Sequence, residues 1–170
     1  MPANIKWTKK LLLKYAKLYE KRSDINLEDG FFEWFYKHRY LNKKVFLRLG
    51  RWKTVRQTKN YLRNRQSNIA KITKTALQST DERVRIETLM KLHGVSWAVG
   101  SVILHFAFPN HYPILDFRAI WSIGIKQPKS YNFEFWRNYV IKFRKLQNKT
   151  DLPARKIDRG LWMYSKLRQY

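Results

Sequence analysis

The chain has 170 residues and contains no cysteine, which excludes disulfides, thiolate zinc sites and Cys-ligated iron–sulfur clusters. It carries 36 Lys and Arg residues against 12 Asp and Glu residues, a formal net charge of +24 at pH 7, so a polyanion is the expected partner. No apolar run approaches the roughly 20 residues of a membrane span, and the first residues lack a signal-peptide pattern, so an intracellular location (cytoplasm, nucleoid or nucleus) is expected.

Few Gly and Pro residues and abundant Lys, Leu and Arg favour an all-α fold, and apolar spacing predicts a bundle of seven to nine helices. In the first half, helices are predicted at residues 8–22, from Asn26 onward, at 54–65 and at 67–78. The second of these has Phe31, Phe32, Phe35 and Tyr36 at the spacing of one apolar face. Residues 43–53 are predicted to form a helix end and a basic loop around Gly50.

In the second half, Asp81 begins a predicted helix, and an apolar helix follows at residues 97–106. A loop with two prolines then leads to Asp116, which is well placed to cap a short helix. Another helix is predicted from Ser130 or Asn132 to about residue 147, and a last one begins near Pro153. The length suggests one domain or two small lobes of one chain. Because no clean linker is visible, a single domain over residues 1–170 is expected.

Residues 34–80 contain 13 basic and no acidic side chains. A solvated helix face normally mixes charges of both signs, so this run predicts contact with the phosphates of a nucleic acid rather than with an anionic membrane. The candidate contacts are Arg51, Trp52, Lys53 and Arg56. Trp52 either stacks on nucleic acid or packs against a neighbouring helix.

A helical hairpin is predicted over residues 82–107, with a turn centred on Gly94. A helix that opens from such a turn exposes backbone N–H groups to an anion, and a glycine lets a phosphate approach closely. The candidate nucleic-acid contacts of this turn are Leu92, His93, Gly94, Val95, Ser96 and Trp97.

The order of hairpin, apolar helix, proline loop (109–116) and single aspartate resembles the helix-hairpin-helix DNA glycosylase superfamily, which includes endonuclease III and the alkyladenine glycosylases. The family turn reads Leu-Pro-Gly-Val-Gly. Leu92, Gly94 and Val95 match it, whereas His93 replaces the proline and Ser96 replaces the second glycine. The resemblance covers roughly residues 89–124.

The resemblance implies a glycosylase-like helical bundle in which Asp116 is the catalytic carboxylate. The family position of the Schiff-base lysine falls on Ala98, so lyase chemistry through that residue is not expected. The candidates for the aromatic wall of a base pocket are Trp97, Tyr112 and Trp121, each of which is otherwise a core residue. His111, in the same loop as Asp116, is a further candidate of the base pocket that positions substrate or water, or else it is an exposed loop histidine. The resemblance also implies that the carbonyls of Leu92 and Val95 hold a monovalent cation; no other cofactor is expected.

Three functions follow as hypotheses. The first is a monofunctional DNA glycosylase that acts as a monomer on double-stranded DNA and hydrolyses the N-glycosidic bond of a damaged or modified base. The second is a DNA-binding module that keeps the hairpin without catalysis, and the third is an RNA-binding protein. Asp158, near Arg155 and Arg159, is predicted to form a structural ion pair with no catalytic role.

Overall fold

Polar side chains set the starts of most helices in the computed structural model, which describes residues 4–20 and 26–169. Each of these side chains accepts a hydrogen bond from a backbone N–H in the first turn, which satisfies a donor that the helix itself leaves unpaired. The capping residues are Thr8, Asn42, Asp81, Ser96, Asp116 and Asn132.

The ten α-helices of the described residues are α1 (Lys9–Tyr19), α2 (Asn26–Lys37), α3 (Lys43–Lys53), α4 (Thr58–Leu62), α5 (Gln66–Gln78), α6 (Glu82–Leu89), α7 (Trp97–Ala107), α8 (Phe117–Ser122), α9 (Phe133–Thr150) and α10 (Ala154–Arg168). A short 3-10 helix at Val55–Gln57 precedes α4. The described residues include no strand, which confirms the predicted all-α fold. In this part of the chain, no helix combines the length and the apolar character needed to cross a bilayer.

The chain forms two compact units. Unit 1 contains α1, α8, α9 and α10, and unit 2 contains the contiguous helices α2 to α7. The expectation of a single domain over residues 1–170 stays a prediction.

Unit 1 is built on the packing of α1 and α8 against α10. The backbones of α1 and α10 approach so closely that a Cβ on Gly160 would lie 2.7 Å from the carbonyl oxygen of Leu12. The ring of Tyr164 packs edge-on against Trp7 at a centroid distance of 5.0 Å. Glu20 at the end of α1 forms ion pairs with Lys156 and Arg159 of α10.

Unit 2 surrounds α7, whose residues 99–107 are all buried. Its neighbours are α2, α3 and α6. Tyr36 is 90% exposed, so the prediction that it belongs to the apolar face of α2 is wrong; Phe31 and Phe35 form the buried part of that face.

The prediction for residues 43–53 is also wrong, because α3 runs through Gly50 without a break. Asn42 caps this helix, and Val45, Phe46, Leu49 and Gly50 share its buried face. Gly50 lies against the ring of Tyr61, where a Cβ would be 2.8 Å from Cε2. Here glycine permits close packing and does not end the helix.

Candidate functional site

The hairpin turn between α6 and α7 requires glycine at position 94 for two reasons. Gly94 has a φ of +84°, which L side chains rarely adopt. A Cβ at this position would also lie 2.7 Å from Cδ1 of Tyr61, whose ring is fully buried. The turn is closed by a hydrogen bond from the Val95 N–H to the Leu92 carbonyl at 3.1 Å.

A buried side chain, Asn64, fixes the backbone of the turn from outside. The Asn64 Oδ1 accepts the His93 N–H at 2.9 Å, and its Nδ2 donates to the His93 carbonyl at 3.0 Å. Nδ2 also donates to the Tyr61 carbonyl at 3.0 Å. The loop between α4 and α5 therefore holds the hairpin turn, because the side-chain amide of Asn64 pairs with the backbone N–H and carbonyl of His93.

The predicted contacts of the turn differ in exposure. The His93 and Ser96 side chains are exposed and Trp97 is half-buried, whereas the side chains of Leu92 and Val95 lie in the core. These last two residues would meet a ligand only through their backbone. The role of their carbonyls as cation ligands stays a prediction.

The basic run of residues 34–80 lies at the surface of unit 2. Of its 13 basic side chains, only Lys43 and Lys53 are half-buried, and the others are exposed. Arg51 and Arg56 are therefore accessible to a polyanion. The half-buried Trp52 ring packs edge-on against Phe106 at 5.6 Å and Phe31 at 6.4 Å, which is the packing role weighed above.

Asp116 begins α8 in unit 1 as predicted, and its carboxylate is half-buried and not sealed in the core. Its Oδ1 accepts the Arg118 N–H at 3.0 Å, and its backbone carbonyl accepts the Ile120 N–H at 2.9 Å. The aspartate is thus fixed by a cap hydrogen bond and by the helix.

Two buried side chains fix the backbone just before Asp116. The phenol of Tyr139 donates to the Ile114 carbonyl at 3.0 Å. The carboxylate of Asp158, only 3% exposed, accepts the Ile114 N–H at 3.3 Å. Side chains of α9 and α10 therefore satisfy both polar groups of Ile114 and limit the movement of the segment that carries Asp116.

The pKa values of two tyrosines near Asp116 are raised, first by burial and then by negative charge. Burial raises the pKa of Tyr139 well above its usual value, and the charges of Asp158 and Asp116 raise it further. The pKa of Tyr131 is also raised, mainly by burial and secondly by Asp116. The Tyr131 hydroxyl accepts a hydrogen bond from Gln127 at 2.9 Å. Both phenols therefore stay protonated at neutral pH and are able to donate hydrogen bonds.

The residues predicted to line a base pocket have different environments. Tyr112 is 1% exposed, stacks on Trp136 at 5.8 Å and carries the Arg144 guanidinium over its ring. It is a packed core residue in this structure, and its role in a base pocket stays a prediction. Trp121 is half-buried and stacks on Tyr164 at 5.9 Å.

His111 is exposed and lines a cleft of about 620 Å³ whose lining residues do not include Asp116. The Arg144 Nε donates to the His111 carbonyl at 3.1 Å, which holds the loop against α9. His111 is therefore an exposed loop histidine in this cleft, and its role in a base pocket stays a prediction.

The sequence analysis did not single out the aromatic residue that directly follows Asp116 in the chain. Phe117, immediately after Asp116, is 46% exposed. The Arg118 guanidinium lies 5.0 Å from the Phe117 ring centroid and 5.5 Å from that of Trp162. One guanidinium therefore lies near both aromatic rings, and the Phe117 ring remains partly exposed.

The sequence analysis assigned Asp158 only a structural ion pair, which stays a prediction, and did not identify its hydrogen bond with the Ile114 N–H. Its spacing holds the signal: Ala154, Ile157, Asp158 and Leu161 share the buried face of α10. Arg155 and Arg159 extend to Tyr19 and Glu20 of α1. No local signal marks Asn64, whose partner His93 lies 29 residues away.

The structure collects the predicted site residues into two groups. The hairpin turn, Arg51, Trp52, Lys53 and Arg56 belong to unit 2, whereas His111, Tyr112, Asp116 and Trp121 belong to unit 1. Comparison of the chain with protein-family models, curated protein sequences and solved structures finds no match.

Proposed function

We propose that the protein is a monofunctional DNA glycosylase that hydrolyses the N-glycosidic bond of a damaged or modified base. The observation that carries the proposal is the state of Asp116, a carboxylate held by its own helix and accessible at half-burial. A catalytic group needs this combination, because it must keep its geometry and still reach a substrate.

The chemistry follows from the charge that develops on the sugar. When the bond to the base breaks, positive charge grows on the sugar ring, and the Asp116 carboxylate would stabilise it and orient a water molecule for attack. Ala98 offers no amine at the position of the Schiff-base lysine, so the product would be an intact abasic site.

Base recognition requires that the target leave the duplex and stack on a flat apolar face. Phe117 is the exposed ring closest in sequence to Asp116 and supplies such a face. The basic run and the hairpin turn would bind the phosphates, which makes the affinity for DNA fall steeply with salt.

The proposal is tested by incubating the protein with duplexes that carry different base lesions, followed by alkaline cleavage of abasic sites. The variant is Asp116→Asn, because asparagine caps a helix as well as aspartate does. We expect base release to fall about 100-fold or more, with unchanged DNA affinity. The matched control is Asp151→Asn, an exposed aspartate at the end of α9 whose left-handed conformation asparagine also accepts, and it should keep full activity.

A second candidate is a non-catalytic DNA-binding protein. The cap hydrogen bond from Arg118 to Asp116 favours it, because this bond explains an aspartate at the start of α8 without any chemistry. The same experiment separates the two functions. If the wild-type protein binds every duplex but releases no base, the glycosylase proposal is overturned.

A further inference from the structure

A concave cleft of about 250 Å³ lies beside the hairpin in unit 2. One wall is formed by the loop between α4 and α5 and by the first turns of α5. The other wall is formed by residues 91–93, which follow α6 and lead into the hairpin turn. Its lining residues are Arg63, Asn64, Arg65, Asn68, Ile72, Lys91, Leu92 and His93.

The chemistry of the lining is that of an anion site. Arg63, Arg65 and Lys91 are exposed cations, and no carboxylate lines the cleft. Among residues 4–20 and 26–169, none of the three forms an ion pair. Three unneutralised cations around one concavity repel each other, and an anion between them would relieve that repulsion.

The size of the cleft limits the ligand. Pockets that enclose a whole organic ligand usually measure about 300–1,000 Å³, and this cleft is smaller. A single phosphate group fits the size and the charge, and guanidinium groups match phosphate oxygens in a bidentate geometry.

The cleft is also coupled to the hairpin. Asn64 lines the cleft and holds both polar backbone groups of His93 with its side chain. The cations on either side of Asn64, Arg63 and Arg65, are therefore kept in a fixed relation to the turn. If the hairpin turn binds one phosphate of a strand, Arg63 and Arg65 are therefore well placed to bind the neighbouring phosphate of the same strand.

We infer that the cleft lined by Arg63, Arg65 and Lys91 is a phosphate-binding site that takes one backbone phosphate of duplex DNA next to the strand at the hairpin. The choice of DNA rests on the proposed function; the phosphate chemistry rests on the cleft itself. Arg63 and Arg65 belong to the basic run of residues 34–80, for which phosphate contacts were predicted as a whole, but neither they nor Lys91 was named as an individual contact.

The experiment measures the binding of an undamaged duplex by fluorescence anisotropy over a range of salt concentrations. The variant is the triple substitution Arg63→Gln, Arg65→Gln and Lys91→Gln. The matched control removes the same charge from exposed lysines of α9 in unit 1, with Lys142→Gln, Lys145→Gln and Lys149→Gln.

The affinity for DNA falls with salt, and the loss of one phosphate contact makes the slope of log affinity against log salt concentration shallower by about 0.9. We expect this change in the cleft variant, together with an affinity at least about 10-fold lower at moderate salt, and less than half of either effect in the control. Equal effects in both variants would overturn the inference, since they would show only a general effect of net charge.

Two further arms identify the source of the phosphate. Inorganic phosphate is added in a thermal-unfolding assay, and duplex RNA replaces DNA in the binding assay. A thermal shift by phosphate that is lost in the cleft variant, without any difference in DNA binding, overturns the DNA assignment in favour of a free anion. A change of slope confined to RNA overturns it in favour of RNA.

Folding and catalysis are controlled separately. All three substituted side chains are exposed, so the cleft variant should keep its circular dichroism spectrum; the charge-preserving variant Arg63→Lys, Arg65→Lys should keep the salt slope. The assay needs no base release. A failure of Asp116 to catalyse therefore leaves the phosphate site standing, and a catalytic protein with an unchanged slope refutes the site alone.

Discussion

Gly94→Ala should destabilise unit 2 strongly, because the substitution meets two separate penalties. The left-handed backbone of Gly94, with φ at +84°, costs an alanine about 1–2 kcal/mol. The added Cβ would lie 2.7 Å from Cδ1 of Tyr61 and 3.1 Å from Cβ of Asn60. Overpacking of this kind costs about 1–3 kcal/mol, so the expected loss is about 2–5 kcal/mol in the free energy of unfolding.

Two other glycines separate these penalties with the same substitution. Gly50→Ala meets the opposite edge of the Tyr61 ring, 2.8 Å from Cε2, without a positive φ. Its clash is partly offset by about 1 kcal/mol of helix propensity, which leaves a loss of about 0–2 kcal/mol. Gly30→Ala in α2 meets nothing within 4 Å and should stabilise the protein by about 0.5–1 kcal/mol.

The assay is urea unfolding followed by tryptophan fluorescence, combined with hydrogen exchange to assign the loss to unit 2. Hydrogen exchange is needed because a chain of two units does not guarantee a single cooperative transition. The reasoning is refuted if Gly94→Ala is as stable as the wild type. It is also refuted if Gly50→Ala costs as much as Gly94→Ala, since the backbone penalty would then be absent.

The remaining predictions concern three polar side chains. Tyr61→Phe should change stability at pH 7 by less than about 1 kcal/mol, because the buried hydroxyl has no hydrogen-bond partner among the described residues. Burial raises the pKa of Tyr61 from 10.0 to about 12, so the folded state keeps this proton to a higher pH than the unfolded state does. The wild type should therefore lose about 2 kcal/mol relative to Tyr61→Phe as the pH rises from 10 to 12. Equal losses of the two proteins in urea unfolding would contradict this. Asn64→Ala should cost about 2–4 kcal/mol and speed hydrogen exchange at His93, since it leaves both backbone groups of the turn without their partner; unchanged exchange would argue against the clamp. Tyr139→Phe removes the hydrogen bond to Ile114 and should slow base release while leaving DNA affinity intact, and a parallel loss of affinity would show a general structural effect instead.

The fold class and most helix starts were predictable because they depend on local patterns. Asp81, Asp116 and Asn132 are caps that the sequence indicates directly, and the structure confirms them. Gly50 shows the limit of local reasoning. Its neighbours in sequence indicate a break, but the ring of Tyr61 makes a small residue necessary within a continuous helix.

The candidate site was predictable only in part, for a similar reason. The position of Asp116 at a helix start follows from nearby residues, whereas its support comes from Tyr139 and Asp158, 25 and 44 residues beyond Ile114. An aromatic residue such as Tyr112 suits the wall of a base pocket, and only its stacking on Trp136 shows that its ring is covered by another side chain. Contacts between distant residues leave no periodicity that a single sequence displays.

Because unit 1 takes its helices from both ends of the chain, synthesis and folding of the two units are separated in time. Helix α1 leaves the ribosome early, yet its main partner α10, which binds Glu20 through Lys156, follows only after more than a hundred further residues. The contiguous helices of unit 2 have all their partners much sooner. We therefore expect unit 2 to fold while the chain is still growing, and the apolar face of α1 to depend on chaperones or on slow folding until α10 has been made.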